Sequence, residues 1–435
     1  MVKDRPINPG AAASPFNRTA QHDAKRLAIL SEAARLFNYK GSRATTLRDI
    51  AECLGLTKTS LYYYVKTKED LIYQCYLAAL EHHHNTLDAI EQKLSSPIDR
   101  ASAFFLQHFD DWLAAQEGRG PHIPALLEIA SLKGAHREEV ESRYIELFKR
   151  LRGYLRQGIA DGSLRNFEPT SATRAILGSV EWAFSWLHRV PPDQVGATGR
   201  EALDIVARGL SAQPGEYRPC ATISEFRETP RLQGFDREQQ NRLKQEAFYK
   251  AGTWFFNKQG FSGTSLDEIA EQLDVSKGAF YYHIKNKEDL LYHCYSRSLD
   301  IIERIYQEAA ETPGTGLEKI DRACRHIFHV QNSGEGPLIR YNTITALPMP
   351  RRKDILKRTD ACNERFGDII REGIEDGSVR EVSPFLAQEM IAGAVNASMD
   401  IGLWRRVDDI DAAAIDYFDI FFNGLLPRER VSGEN

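Results

Sequence analysis

Apolar residues recur along this chain at steps of three and four, and alternating strand-like patterns are scarce, so the periodicity predicts an all-α fold. In the first half the stripe Ala28-Ile29, Ala33, Leu36-Phe37 stops at Gly41. Thr46-Leu47-Arg48-Asp49 resembles a capping box with Asp where Glu or Gln is usual, and the helix it opens runs to about Leu54. Gly55-Leu56 turns the chain. Thr57 caps a short helix through Tyr64, and Thr67 caps a long one whose first acids, Glu69 and Asp70, suit its positive end. The same order returns downstream. Ser265-Leu266-Asp267-Glu268 has the full S-x-x-E form, Ser276 caps the short helix, and Asn286 with Glu288 and Asp289 opens the long one. Each half thus begins with three short helices, the second and third separated by a tight turn, and continues in longer, more apolar ones.

This return is a literal repeat. GSRATTLRDIAECLGLTKTSLYYYVKTKEDLIYQCY at Gly41–Tyr76 aligns without a gap with GFSGTSLDEIAEQLDVSKGAFYYHIKNKEDLLYHCY at Gly260–Tyr295, half of it identical, at a shift of 219 (260 − 41). A second echo pairs RQGIADGSLR at Arg156–Arg165 with REGIEDGSVR at Arg371–Arg380. A chain of 435 residues exceeds one comfortable core, and the repeat divides it into two units of about 190 residues. The boundaries expected are a loose polar arm over 1–21, a first head over 22–76 and a first body over 77–211. A Pro-containing linker over 212–235 follows, then a second head over 236–295, a second body over 296–427 and a tail over 428–435. Such a linker could span up to about 80 Å if extended.

Composition narrows the chemistry. No apolar run approaches the roughly 18 residues that cross a bilayer, and the first twenty residues lack a signal-peptide core, so the expected setting is the cytoplasm, away from membranes. Six scattered cysteines without metal-like spacing read as buried free thiols. Net charge is −5, yet Thr57–Lys68 holds Lys58, Lys66 and Lys68 with no carboxylate, and Ser276–Lys287 holds Lys277, Lys285 and Lys287 with none. A cationic, hydroxyl-rich and aromatic surface therefore occurs twice on an otherwise acidic protein. His82-His83-His84 does not make a metal site, because successive helical residues point about 100° apart; a solvated face is expected. No nucleophile–base pairing, phosphate-cradling loop or metal cluster stands out, so an enzyme is not expected.

Two helices joined by a tight turn are the geometry that sets a recognition helix in the DNA major groove. Hydroxyls and lysines at helix starts donate to phosphates beside outward-pointing backbone N–H groups. TSLDEIAEQLDVSKGAFYYHIKNKEDLL and TTLRDIAECLGLTKTSLYYYVKTKEDLI both resemble the DNA-binding signature of the tetracycline-repressor (TetR) family of bacterial regulators. The resemblance covers about 50 residues at the head of each half. It implies a helical DNA-binding head on a helical body that binds a small-molecule effector and dimerises through its last two helices. Carried over by position, Thr45, Thr46, Tyr62, Tyr64 and Lys68 should hold phosphates, and Lys58, Thr59, Ser60 and Tyr63 should face bases. In the second head the phosphate set is Thr264, Ser265, Tyr281, His283 and Lys287, and the base-facing set is Lys277, Gly278, Ala279 and Tyr282.

Family members are homodimers of one unit; this chain fuses two. Ser171–His188 with Ala202–Leu210 could pack on Pro384–Trp404 with Ala412–Asn423 as an intrachain pseudo-dimer. Its recognition helices would sit about 34 Å apart and read an imperfect palindrome of double-stranded DNA. Further association of two chains is left open. In the bodies, Phe104, Phe105, His108, Phe109 and Trp112 form one aromatic stripe, and Trp182, Phe184 and Trp186 another. Most such residues are core; Phe105, His108, Phe109, Trp112, Trp182 and Trp186 are the candidates for lining an effector pocket. The patterns ending at Trp186 and Trp404 resemble regulators of lipid or acyl-CoA catabolism, which implies no cofactor but an apolar or acyl-CoA-like effector. The competing expectation is a ligand-binding adaptor whose heads serve protein contacts.

Overall fold

A computed structural model describes residues 15–42, 44–126, 129–213, 215–219, 237–333 and 336–428. The first head is built from α1 (Pro15–Lys40), α2 (Leu47–Cys53), α3 (Lys58–Tyr62) and the start of α4 (Lys68–Lys93). Its body adds α5 (Pro97–Gln116), α6 (Gly134–Asp161), α7 (Pro169–Glu181) and α8 (Val195–Arg208). The second half repeats the order with α9 (Arg237–Gly263), α10 (Leu266–Gln272), α11 (Lys277–His283), α12 (Lys287–Glu311), α13 (Gly316–Asn332), α14 (Met349–Glu375) and α15 (Pro384–Ser398). It ends in α16 (Ile401–Trp404) and α17 (Ile410–Asn423). Among the described residues the extended structure is one antiparallel bridge, Ser211 to Val379.

Local chemistry fixes the ends of these helices. Thr46, Thr57, Thr67, Ser265, Ser276 and Asn286 each accept the backbone N–H three residues on, which satisfies a donor the helix cannot. The box at Thr46 is reciprocal, since Asp49 accepts from the Thr46 N–H at 2.8 Å. Two boundaries differ from the sequence reading. The arm is not loose to residue 21, because α1 already begins at Pro15, and α1 is a long helix rather than a short one. The helix after Thr57 ends at Tyr62, two residues early, where Tyr64 N–H turns back to the Leu61 carbonyl.

The two bodies meet along α7 and α15, with α8 and α17 beside them. Gly178 and Gly393 let the backbones touch: a Cβ on Gly178 would lie 2.9 Å from the Gly393 oxygen, and one on Gly393 would lie 2.7 Å from the Gly178 oxygen. Ser179 Oγ donates to the Met390 carbonyl at 2.7 Å. Around this crossing the contacts come in reciprocal pairs at a constant offset of 215 (380 − 165, 424 − 209). Arg165 Nε donates to the Gly424 carbonyl and Arg380 Nε to that of Gly209, both at 2.5 Å. Arg165 also pairs with Asp419, and Arg380 with Asp204. Reciprocity of this kind is the signature of an isologous contact. One apolar core runs through both bodies, from Phe105 and Trp186 to Phe328 and Phe418.

The front of the expected linker is held in place. Ala212 N–H donates to the Ser378 carbonyl, Tyr217 exchanges hydrogen bonds with Asn423, and Arg428 donates to the carbonyls of Ser211, Gln213 and Gly215. Polar backbone in this stretch finds partners in the second half, so Ala212, Gln213, Gly215 and Tyr217 are tied down rather than part of a free spacer. Residues 220–235 of the linker and 429–435 of the tail lie outside the described residues.

Candidate nucleic-acid interface

Each recognition helix is pinned by one buried side chain and exposes most of the rest. Leu61 and Phe280, at equivalent positions, are fully buried in their heads. The preceding turns require left-handed backbone, taken by Gly55 (φ 62) in the first head and by Asp274 (φ 52) in the second. With the helix so held, Lys58, Thr59, Ser60, Tyr62 and Tyr63 face solvent, as do Lys277, Gly278, Ala279, Tyr281 and Tyr282. Tyr63, just past the end of α3, is 76% exposed and Tyr282 84%, which for large aromatics marks a surface suited to contact. Lys58 Nζ stands 5.6 Å from the Tyr62 ring centroid. Ser60 Oγ lies 2.8 Å from the capping Thr57 Oγ1. Tyr64 and His283 are half-buried: Tyr64 stacks on His22 at 4.8 Å, and His283 packs beside Phe248.

Several expected phosphate ligands are placed otherwise. Thr45 and Thr264 are buried, and their hydroxyls donate to the carbonyls of Gly41 and Gly260 at 3.0 and 2.8 Å. A hydroxyl turned into the head locks the approach to α2 or α10 and is not offered to DNA. Lys287 Nζ donates to the carbonyls of Phe261 and Thr264 at 2.9 and 2.6 Å, so it ties α12 to the preceding loop. Thr46 is exposed and Ser265 half-buried; as caps, both hydroxyls accept from the backbone and keep their own proton to donate. Lys68 is half-buried at the start of α4.

One residue escaped the sequence reading except as part of a cap. Asp267 accepts from Lys277 Nζ at 2.6 Å and from the Tyr281 hydroxyl at 3.2 Å. These partners hold its carboxyl below the usual range, the Lys277 hydrogen bond foremost. The corresponding residue of the first head is Arg48, paired along its helix with Glu52. The surface carrying Lys58 is therefore cationic, whereas that carrying Lys277 is internally neutralised. A carboxylate ten residues ahead of the recognition lysine, on the adjoining helix, was the available signal.

The bodies also correct the expected pocket. A small cavity of about 30 Å³ lies in the first body between Phe104 and Phe105 of α5, Leu151 and Leu155 of α6, and the α7 face from Thr173 to Val180. Of the six candidates only Phe105 lines it. His108 is stacked on His83 at 5.1 Å, Phe109 and Trp186 fill the core, Trp112 packs on its edge, and Trp182 reaches the other half. Most of the aromatic stripe fills space, and the gap is bordered by Phe104 and Phe105 together with aliphatic side chains of α6 and α7. His83 is buried rather than solvated, while His82 pairs with Asp111 at 2.8 Å and His84 meets the Arg143 carbonyl. Cys75, Cys294, Cys324 and Cys362 are buried free thiols, but Cys53 is exposed, and Cys220 lies outside the described residues.

Two helix-turn-helix heads with outward aromatic and cationic faces, carried on a joined helical body, define a DNA-binding transcriptional regulator. Residues 29–75 and 249–294 match the domain described as bacterial regulatory proteins, tetR family. Residues 105–210 and 313–400 match the tetracyclin repressor-like C-terminal domain. The chain belongs to the TetR family, with both domains present twice. It is 26% identical over 200 residues to the HTH-type transcriptional repressor KstR2 of Mycolicibacterium smegmatis, covering 45% of this chain and 96% of that protein. It is 25% identical over 198 residues to the fatty acid metabolism regulator protein of Bacillus subtilis, covering 43% of this chain and 97% of the other. Among solved structures it is similar to the ketosteroid transcriptional regulator KstR2 of Mycobacterium tuberculosis, with 24% identity, a TM-score of 0.35, and coverage of 42% of this chain and 92% of that one. None of the helices in the described residues is long and apolar enough to cross a membrane.

Proposed function

We propose that the two halves of one chain act as the two subunits of a TetR-type repressor, an intrachain pseudo-dimer reading an imperfectly palindromic operator. The observation that carries this is the reciprocal pairing at offset 215, which gives each half the other as its isologous partner. Lys58, Thr59, Ser60 and Tyr63 read one half-site; Lys277, Gly278, Ala279 and Tyr282 read the other. Thr46, Ser265 and the helix-start N–H groups hold phosphates between them. Thr59-Ser60 against Gly278-Ala279 supports half-sites of different sequence. The effector is apolar or acyl-CoA-like; the apolar lining of the first-body cavity and the named role of the Bacillus subtilis relative support that class. The test is a footprint on the DNA upstream of the protein's own gene, with the mass of the complex measured in solution. Two protected half-sites about one helical turn apart under a single chain are expected. Absence of protection, or one protected half-site per chain, overturns the reading.

A further inference from the structure

We infer that the two heads do not share the operator equally: the first anchors the duplex, and Asp267 makes the second a conditional reader that engages only beside it. Charge carries the first part. From Leu47 to Lys68 the first head holds Arg48, Lys58, Lys66 and Lys68 against Asp49 and Glu52, a net charge of +2. The aligned stretch from Leu266 to Lys287 holds Lys277, Lys285 and Lys287 against Asp267, Glu268, Glu271 and Asp274, a net charge of −1. Sequence-independent affinity for DNA comes from phosphates neutralised by cations, and each such contact changes affinity about threefold over a fourfold change of salt. A difference of three charges, +2 against −1, therefore places most of that affinity on the first head.

Geometry carries the second part. Lys277 opens α11 and Tyr281 stands four residues on, so both share one face of that helix. Asp267, in the first turn of α10, accepts from Lys277 Nζ on one carboxylate oxygen at 2.6 Å and from the Tyr281 hydroxyl on the other at 3.2 Å. One carboxylate thus occupies two of the side chains that the second head would turn to the duplex. Gly278 and Ala279 add no hydroxyl where the first head has Thr59 and Ser60, and Lys287 is held by the carbonyls of Phe261 and Thr264. In the first head Arg48 turns along α2 to Glu52 at 2.6 Å, and Lys58 lies 5.6 Å from the Tyr62 ring centroid. An exposed ion pair such as Asp267 with Lys277 is weak in itself. Its effect is to set a negative charge beside the phosphates while engaging the cation that would answer them. Once the first head is seated, the joined body brings the second to its half-site at high local concentration, and the missing affinity no longer matters. The second half-site then contributes discrimination between sequences more than grip.

The inference rests on the proposed DNA-binding reading. The probes are three duplexes cut from the DNA upstream of the protein's own gene: the whole protected site, and two versions in which one or the other half-site is scrambled. Lys58→Ala assigns the halves, since it weakens the one that the first head holds. In titrations of the full chain, the duplex keeping only the first half-site should bind about tenfold or more tighter than the one keeping only the second. Asp267→Asn should tighten the second-site duplex about threefold or more, leave the first-site duplex as it was, and keep the melting temperature. Asp267→Glu, which keeps the charge, should behave as the parent does. Equal binding of the two half-site duplexes, or no gain in Asp267→Asn, overturns the inference while the DNA-binding reading stands. An equal gain in Asp267→Asn and Asp267→Glu overturns the role of the charge. Failure of the parent to bind the whole site overturns the DNA-binding reading, and the inference falls with it.

Discussion

At the scale of single residues, the two heads differ most at Asp267 and Arg48. On the proposed DNA-binding reading, Asp267 would have to release Lys277 and Tyr281, or face the phosphates itself. Asp267→Arg should therefore tighten the second half-site several-fold at low salt and steepen the salt dependence by about one to two phosphate contacts, read by binding titrations over a salt series. An unchanged salt slope would place Asp267 away from the duplex. Lys58→Ala should cost about 1–3 kcal/mol at the first half-site and leave the second footprint intact; equal fading of both would show that Lys58 does not read bases. The residues of the recognition helices were legible in sequence because a repeat and its caps are local. The direction a hydroxyl turns is not local, which is why Thr45 and Thr264 point inward and Lys287 backs onto carbonyls.

Among elements, the crossing of α7 and α15 and the stacking of α4 on α5 carry opposite chemistry. Gly178 allows backbone contact, so Gly178→Leu forces the helices apart. It should destabilise by about 1–3 kcal/mol or more, seen as a lowered melting temperature, whereas the same change at exposed Gly278 should not. Between α4 and α5, burial against His108, with His82 and His84 alongside, drives the His83 pKa well down, and burial lowers that of His108. Unfolded histidine takes up its proton near pH 6.5. The folded pair therefore stabilises the protein above that pH, and its contribution is lost as pH falls below it. His82, raised by Asp111, acts in the opposite sense: its contribution is present at acid pH and fades as pH rises through its folded value. Thermal midpoints from pH 7.5 to 5.5 should fall, and His83→Leu should flatten the fall; a parallel curve would refute this. The helices themselves followed from periodicity. The cavity did not, since an aromatic stripe announces bulk, and a void appears only when three helices are set at their final distances.

For the whole molecule, the proposed pseudo-dimer would replace association by covalent linkage. A conventional dimer at low concentration separates and loses its operator, while here the partner is always present at the effective concentration its tether sets. Operator binding should follow a simple hyperbola down to the lowest protein concentrations measurable. Sigmoidal titrations, or a complex of two chains, would show that a further dimer is the binding unit. The fused architecture was evident from the repeat alone. What the repeat did not reveal is that the offset changes from 219 in the heads to 215 in the bodies, after the second half loses four residues between α13 and the segment beginning at Leu338.

In a homodimer any substitution at the crossing strikes both sides of the two-fold at once, and an unfavourable one is felt twice. Gly178 and Gly393 touch each other here but are encoded separately. Mutation can therefore adjust one half while its counterpart keeps its own sequence. Arg48 opposite Asp267 is the divergence that such freedom permits.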